Sequence, residues 1–475
     1  MIPVVTPAEM GVIDAEAPEP VEELIDRAGW ATARIAARLL AARRGVYGSR
    51  VAVVAGKGNN GADGRRAARF LTRRGVQCTV FDVLDSDGSD DATAAAEPAR
   101  SSSGHHGPHS FDLVIDAAFG TGLRGRFWSS RLPIEVGDTP VLAVDIPSGV
   151  NGLTGEVQGR PLQAATTITF AAPKPGLLFE PGRSLAGHIV VADIGLDCTR
   201  ARLHLLEEAD LSSWPTRRSD AHKWRHAVAV IGGGQGMAGA AVLSSTAALR
   251  SGAGYVVKVR QAPLVGDSGA GPIEAVSVSL VDEYQRAREL IERCSSAVVG
   301  PGLGTDDESQ QLALAVLAEL DVSAVVDAGA LQSELVHSMA ARAGRQPLHV
   351  LTPHDGEFTR ITGRPPGGDR VAASRAAAAR LDAVIVLKGS TTVIAHPDGR
   401  ALLSTSGDQR LATAGTGDVL SGVIGAGLAL GLDPFLAAGL GVELHGRAAC
   451  LGRSVGLTAG DLPGLVAKVL AAHVD

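Results

Sequence analysis

The stretch Val51-Ala52-Val53-Val54-Ala55-Gly56-Lys57-Gly58-Asn59-Asn60-Gly61-Ala62-Asp63-Gly64 runs from five small apolar residues straight into a glycine-rich segment. Residues 51–55 read as a buried strand, and a helix is expected over Arg65–Arg73. Strand, glycine-rich turn and helix together make the βα unit of a parallel sheet, whose ligands sit at the carboxyl ends of the strands. Asn59 and Asn60 offer amide oxygens that a hard cation or a ribose can use. The competing reading is that both merely tolerate left-handed turn conformations.

The same pattern recurs downstream. Leu113–Asp116 and Val141–Asp145 read as strands that each deliver a carboxylate to their carboxyl ends. The loops that follow are Gly120-Thr121-Gly122-Leu123-Arg124-Gly125-Arg126 and Ile146-Pro147-Ser148-Gly149. In an open parallel sheet these ends line one crevice, so Asn60, Asp116, Asp145 and Ser148 are expected to converge. An all-oxygen set suits a hard cation, whereas a soft metal wants Cys or His. Upstream, residues 6–45 read as helical, with Leu24, Ile25, Ala28, Ala31, Ile35 and Leu39 near a 3.6 period. Cys78–Phe81 reads as a strand, and the polar stretch Asp85–Ser110, with three histidines, as a solvated loop.

Around Glu207–Arg218 the chain turns polar and carries a proline, which places a domain boundary near residue 212. The expected domains are 1–212 and 213–475. In the second, strand Ala227–Ile231 leads into Gly232–Ala240 and a helix to about Arg250. Further strands at 255–258, 297–299, 324–326, 349–351, 383–387 and 392–394, with helices over 310–320 and 370–381, make a second α/β sandwich. Four loops on one sheet edge stand out: Gly300–Gly304, Thr352–Phe358, Lys388-Gly389-Ser390-Thr391-Thr392 and Ala414-Gly415-Thr416-Gly417-Asp418. In the last, converging amides at a helix start suit a phosphate, and Asp418 is placed to take a proton from an attacking hydroxyl.

A chain of 475 residues exceeds one ordinary core, in keeping with two domains. The net charge of −7 and the lack of a long basic run argue against nucleic acid as a partner. Four widely spaced cysteines form no metal or disulfide pattern and fit a cytoplasmic compartment. No signal peptide and no membrane-length apolar run are read. The sequence is compatible with a homo-oligomer and does not specify one.

The asparagine loop, Asp116–Leu123, Asp145-Ile-Pro-Ser-Gly and Thr167–Gly176, in this order, resemble the NAD(P)H-hydrate epimerase family over roughly residues 6–210. The resemblance implies a K⁺ ion held by Asn60, Asp116 and Ser148. It implies a hydrated nicotinamide nucleotide contacted by Asn59, Asn60, Gly61, Ala62, Asp63, Gly120 to Arg126 and Asp145. Asp145 is the expected acid/base residue, with Lys174 a second candidate. Ala62 departs from the glycine usual in that family.

Across residues ~220–475, Pro301-Gly-Leu-Gly, Thr352-Pro-His-Asp-Gly-Glu-Phe, Lys388-Gly and Ala414-Gly-Thr-Gly-Asp resemble the ADP/ATP-dependent NAD(P)H-hydrate dehydratases of the ribokinase-like superfamily. The resemblance implies hydrate contacts from Ala240, Gly302, His354 and Asp418, and a nucleotide with Mg²⁺ held by Lys388, Gly389, Ser390, Thr391, Thr392 and Gly417. Two departures are Gly329, where that family tends to have aspartate, and the bulky His222-Lys223-Trp224-Arg225-His226. Together the resemblances imply two three-layer α/β/α domains, a Rossmann-like epimerase and a ribokinase-like dehydratase, jointly repairing NAD(P)HX at the expense of ADP or ATP. The alternative is a ribokinase-like kinase for a vitamin precursor, fused to a non-catalytic nucleotide-binding module.

Overall fold

The computed structural model describes residues 1–83, 111–122, 126–132, 134–217, 220, 222–234, 236–261, 271–304, 306–341 and 347–474. The expected loop Asp85–Ser110 lies outside these residues, as do Leu123, Arg124 and Gly125. The chain divides into a unit of residues 3–201 and a unit of residues 202–475 that also takes in Met1 and Ile2. The division falls between Ala201 and Arg202, upstream of the expected position near 212, because Leu203–Leu205 already pairs in register with Ala401–Leu403.

In the smaller unit the parallel strands run, in spatial order, Gln77–Asp82, Arg50–Ala55, Leu113–Ala117, Val141–Val144, Thr166–Phe170 and His188–Ala192. The order reverses between Arg50–Ala55 and Leu113–Ala117, which is where an open sheet of this kind forms its crevice. The helical segment read at 6–45 is two helices, Pro7–Glu16 and Val21–Ala41, separated where Pro18 and Pro20 deny backbone donors. The apolar stripe of the second buries Ala28, Ala31 and Ile35 against Val51, Val53, Leu113 and Leu142.

The larger sheet runs Leu203–Leu205, Ala401–Ser404, Thr392–Ala395, Val384–Leu387, Val350–Leu351, Ala324–Val326, Ser296–Val299, Ala227–Gly232, Tyr255–Arg260 and Val276–Ser279. All these neighbours are parallel except the two pairings made by Thr392–Ala395. Helix Thr416–Ala429 is buried along most of its length, which its continuous apolar sequence requires. It packs on Ala238–Arg250 and Pro434–Leu451 and so presents its N-terminus to the strands' carboxyl edge. Both units are thus α/β, as expected. No helix among the described residues is long and apolar enough to cross a membrane.

Candidate active sites of the two units

In the smaller unit the helix begins at Asn59, capped by Gly58, and not at Arg65. Asn59, Asn60, Gly61, Ala62 and Asp63 are its first residues, so the left-handed reading of the asparagines does not hold. The glycines serve close packing: a Cβ on Gly61 would lie 1.9 Å from the Gly56 carbonyl oxygen. Ala62 has an ordinary helical backbone, so alanine is unstrained there. Both polar atoms of the Asn60 side chain are buried with no hydrogen-bond partner. A methyl placed on Gly120 would stand 3.5 Å from Asn60 Cβ and 3.4 Å from Asp145 Oδ2, so these three residues meet. Thr121 is half-buried, and Gly122 and Arg126 are exposed.

Asp116 is fully buried. It accepts from Ser148 Oγ at 2.6 Å and from the Ser148 amide at 2.9 Å. Burial pushes its carboxyl up, against the hydrogen bonds from Ser148 and Ala118. Neutral donors alone leave such a group short of positive charge, and Ser148 Oγ also bonds Phe119, next to the Gly120 that meets Asn60 with its unused oxygen. This chemistry fits a monovalent cation.

Asp145 sits at φ +65° directly after its strand. Its Oδ1 accepts from Lys174 Nζ at 2.6 Å and Thr169 Oγ1 at 3.2 Å. Lys174 is 1% exposed and also bonds Thr169 Oγ1 and the Phe170 carbonyl, both at 3.1 Å. Two further carboxyls belong to this cluster. Burial, reinforced by the charges of Asp145 and Asp14, pushes Asp63 up to about 8. Asp14 is itself raised by partial burial and by Asp145, with Lys174 opposing. Sequence reading passed over Asp14; its signal is that it lies one turn beyond Met10, which packs on Ala172 in the turn leading to Lys174.

A stability prediction follows for Asp63. Its folded pKa is raised, so its contribution is complete below the unfolded carboxylate range near 4 and is lost as pH rises through about 8. Asp63→Asn should therefore melt higher than the parent at pH 8 and show no such advantage at pH 4. The gap should be at least about 3 °C, the shift that ~1 kcal/mol produces in a unit of this size. Scanning calorimetry at both pH values checks it.

In the larger unit, Asp418 occupies the first turn of Thr416–Ala429, behind Gly415 at φ +91°. Lys388 Nζ lies 3.2 Å from Asp327 Oδ1 and 3.6 Å from Glu357 Oε2. Asp327 is 2% exposed, and its Oδ2 accepts from Ser421 Oγ at 2.6 Å. A methyl on Gly417 would stand 3.6 Å from Lys388 Nζ and 3.9 Å from Asp327 Oδ2, which places the glycine loop on this cluster. Burial and the charges of Asp327 and Glu357 raise Asp418 to about 6, with Lys388 opposing. Burial pulls Lys388 down, but the carboxylates Asp327, Glu357 and Asp418 outweigh it, and the ammonium is held above its ordinary value.

Ala240 and Gly302 face each other: a methyl on Gly302 would be 3.0 Å from Ala240 Cβ. Gly389, Ser390 and Thr391 form the turn between two antiparallel strands, and Thr392 opens the second. His354 caps helix Asp355–Thr362, its Nδ1 accepting from the Gly356 amide at 3.0 Å, which leaves the proton on Nε2. Its side chain stays exposed.

A family model described as NAD(P)H-hydrate dehydratase matches residues 228–467, and one described as YjeF-related protein N-terminus matches residues 21–176. The bifunctional NAD(P)H-hydrate repair enzyme of Moorella thermoacetica is 36% identical over 94% of this chain and 91% of its own length. The chain belongs to the bifunctional NAD(P)H-hydrate repair enzyme family. The Escherichia coli enzyme of the same description is 35% identical over 84% of this chain and 79% of its own. A solved ribokinase-like superfamily protein from Enterococcus faecalis covers 57% of this chain and 97% of its own, at 28% identity and TM-score 0.52.

For a member of the NAD(P)H-hydrate repair family, the two departures read in the second unit have plain local causes. A Cβ at Gly329 would meet the Leu303 carbonyl oxygen at 2.2 Å, so no side chain fits in this backbone. Trp224 packs between Tyr255 (ring centroids 4.4 Å apart, planes tilted by 50°) and the Arg293 guanidinium (3.8 Å). It sits at the amino end of the strands, away from the edge that carries Asp327, Lys388 and Asp418. Its bulk therefore has no bearing on that carboxylate–lysine cluster. Asp327 and Glu357 are the residues sequence reading left unassigned. The signal for Asp327 was available: it follows a strand as Asp116 and Asp145 do.

Proposed function

We propose that this chain repairs hydrated NADH and NADPH, exchanging the R and S epimers at nicotinamide C6 in the smaller unit and dehydrating the S epimer in the larger. The observation that carries the reading is that one chain holds two unlike carboxylate–lysine sites. Asp145 pairs with Lys174 beside the unbonded Asn60, and Asp418 stands with Asp327 and Glu357 around Lys388.

For epimer exchange, the C6–O bond breaks with a proton delivered to the departing oxygen, and the ring nitrogen lone pair stabilises the cation left behind. Water then adds to the opposite face and gives up a proton. Asp145, with Lys174 as countercharge, is the residue that takes it, and Asp63 is the carboxyl that carries one near neutral pH. K⁺ would be held by Asn60, Asp116 and Ser148 and would supply charge for the buried Asp116.

For dehydration, Asp418 takes the proton of the C6 hydroxyl as that oxygen attacks the terminal phosphorus of ADP or ATP, whose bond to the bridging oxygen breaks and releases AMP or ADP. Lys388 and the amides at Gly415–Gly417 hold the phosphate chain, with Ser390, Thr391 and Thr392 along it. Mg²⁺ brought with the nucleotide would supply positive charge beside Asp327, Glu357 and Asp418, which outnumber Lys388. The nitrogen lone pair then breaks C6–O and expels phosphate, and a C5 proton passes to water, which restores the dihydronicotinamide.

The test is to incubate the protein with mixed NADHX epimers, with and without ADP or ATP. Complete conversion of both epimers to NADH, only with nucleotide, is expected. Conversion of the S epimer alone would refute the epimerase role, and a stable phosphorylated product would refute dehydration.

A further inference from the structure

Arg370 is the first residue of helix Arg370–Leu381, where a cation meets the positive end of the helix dipole unfavourably. Its surroundings account for the placement. Nη1 donates to Asp355 Oδ2 at 2.9 Å, and Nη2 stands 2.8 Å from Asp355 Oδ1, a two-pronged pair. Nη2 also donates to the Lys388 carbonyl at 2.9 Å. The side chain is 17% exposed, and a methyl on Gly389 would stand 3.1 Å from Nη2, so the guanidinium is wedged under this turn.

Each of these partners leads to Lys388 Nζ. Asp355 is the first residue of the helix whose third, Glu357, lies 3.6 Å from that ammonium. The Lys388 carbonyl belongs to the residue that carries it, and the Lys388 amide is tied to the Pro353 carbonyl at 2.9 Å. We propose that Arg370 is a positioning residue for dehydration, clamping the Lys388 backbone to the Asp355–Thr362 helix so that the ammonium is fixed between Asp327 and Glu357. This rests on the reading that Lys388 holds the nucleotide phosphates. Lysine cannot replace arginine here, because a single ammonium cannot grip both carboxylate oxygens and the carbonyl together.

The experiment uses the full chain and reads ADP-driven dehydration of the S epimer, with epimer exchange as an internal measure of intact protein. Arg370→Lys should lower kcat/KM for ADP about 10- to 100-fold, the effect of an ångström-scale displacement, with exchange unchanged. Arg370→Ala should fall at least as far and regain kcat on addition of low-millimolar guanidinium, whereas equal urea gives nothing. Wild-type kinetics in Arg370→Lys would overturn the proposal. So would a loss in Arg370→Ala that tracks a lowered melting temperature and resists guanidinium, since that marks a merely structural residue. Lys388→Met separates the two levels. If it still dehydrates, the phosphate-holding reading has failed, and if it is inactive while both Arg370 variants keep full activity, only the clamp has.

Discussion

Asp418→Asn is expected to lower dehydration by roughly 10²- to 10⁴-fold, the contribution of a positioned general base, while epimer exchange continues at the parent rate. Asparagine keeps the shape and the helix position and loses only the capacity to accept the hydroxyl proton. The pH dependence gives a second, independent readout. Asp418 lies near 6 because burial disfavours its charge, and Asp327 and Glu357 add to this more than Lys388 relieves. The base must be ionised, so kcat/KM should climb about tenfold per pH unit below about 6 and level off above it. In Asp418→Asn that limb should vanish. Retention of the limb in the variant, or of the parent rate, would sink the assignment. Measuring NADH release and epimer exchange in the same preparation separates loss of the base from loss of the fold.

How far such sites were legible depended on where chemistry and pattern coincided. The strand-end carboxylates Asp116 and Asp145 were readable because a βα unit leaves few other places for an acid after an apolar run. The same logic applied to Asp327 but was hidden by Ala328-Gly329-Ala330, which reads as a turn. Asn59–Asp63 looked like loop because glycines carry poor helix propensity; the close approach of Gly61 to the Gly56 carbonyl, a tertiary fact, overrides propensity there. Helix Pro434–Leu451 went unread since it is buried over most of its surface and lacks the one-sided stripe by which helices are recognised. Glu357 was inside a quoted motif, but only the fold shows that its carboxylate caps His354 and reaches Lys388 as well. Arg370 carried no sequence signal, because its partners are 15 and 18 residues away on separate elements.

Asp145→Asn is the counterpart test in the smaller unit, and its expected loss of epimer exchange is again roughly 10²- to 10⁴-fold. Asparagine is the apt replacement because φ is +65° at this position, a conformation that Asn and Asp accept more readily than other side chains. The substitution also strands an ammonium. Lys174 is 1% exposed, and stripping one partner from a buried pair costs about 3–5 kcal/mol, so Asp145→Asn should lower the melting temperature as well. The double variant Asp145→Asn/Lys174→Met removes that cost by taking away the charge left unpaired. It should regain much of the lost stability and recover no epimer exchange. That asymmetry shows that the lost exchange does not come from the destabilising unpaired ammonium, and the single variant Lys174→Met, expected to keep more exchange than Asp145→Asn, assigns it to the carboxylate. If the double variant recovered exchange along with stability, Asp145 would be no more than the anchor of Lys174. Epimer exchange followed by proton NMR, beside calorimetry on the same samples, distinguishes the two outcomes.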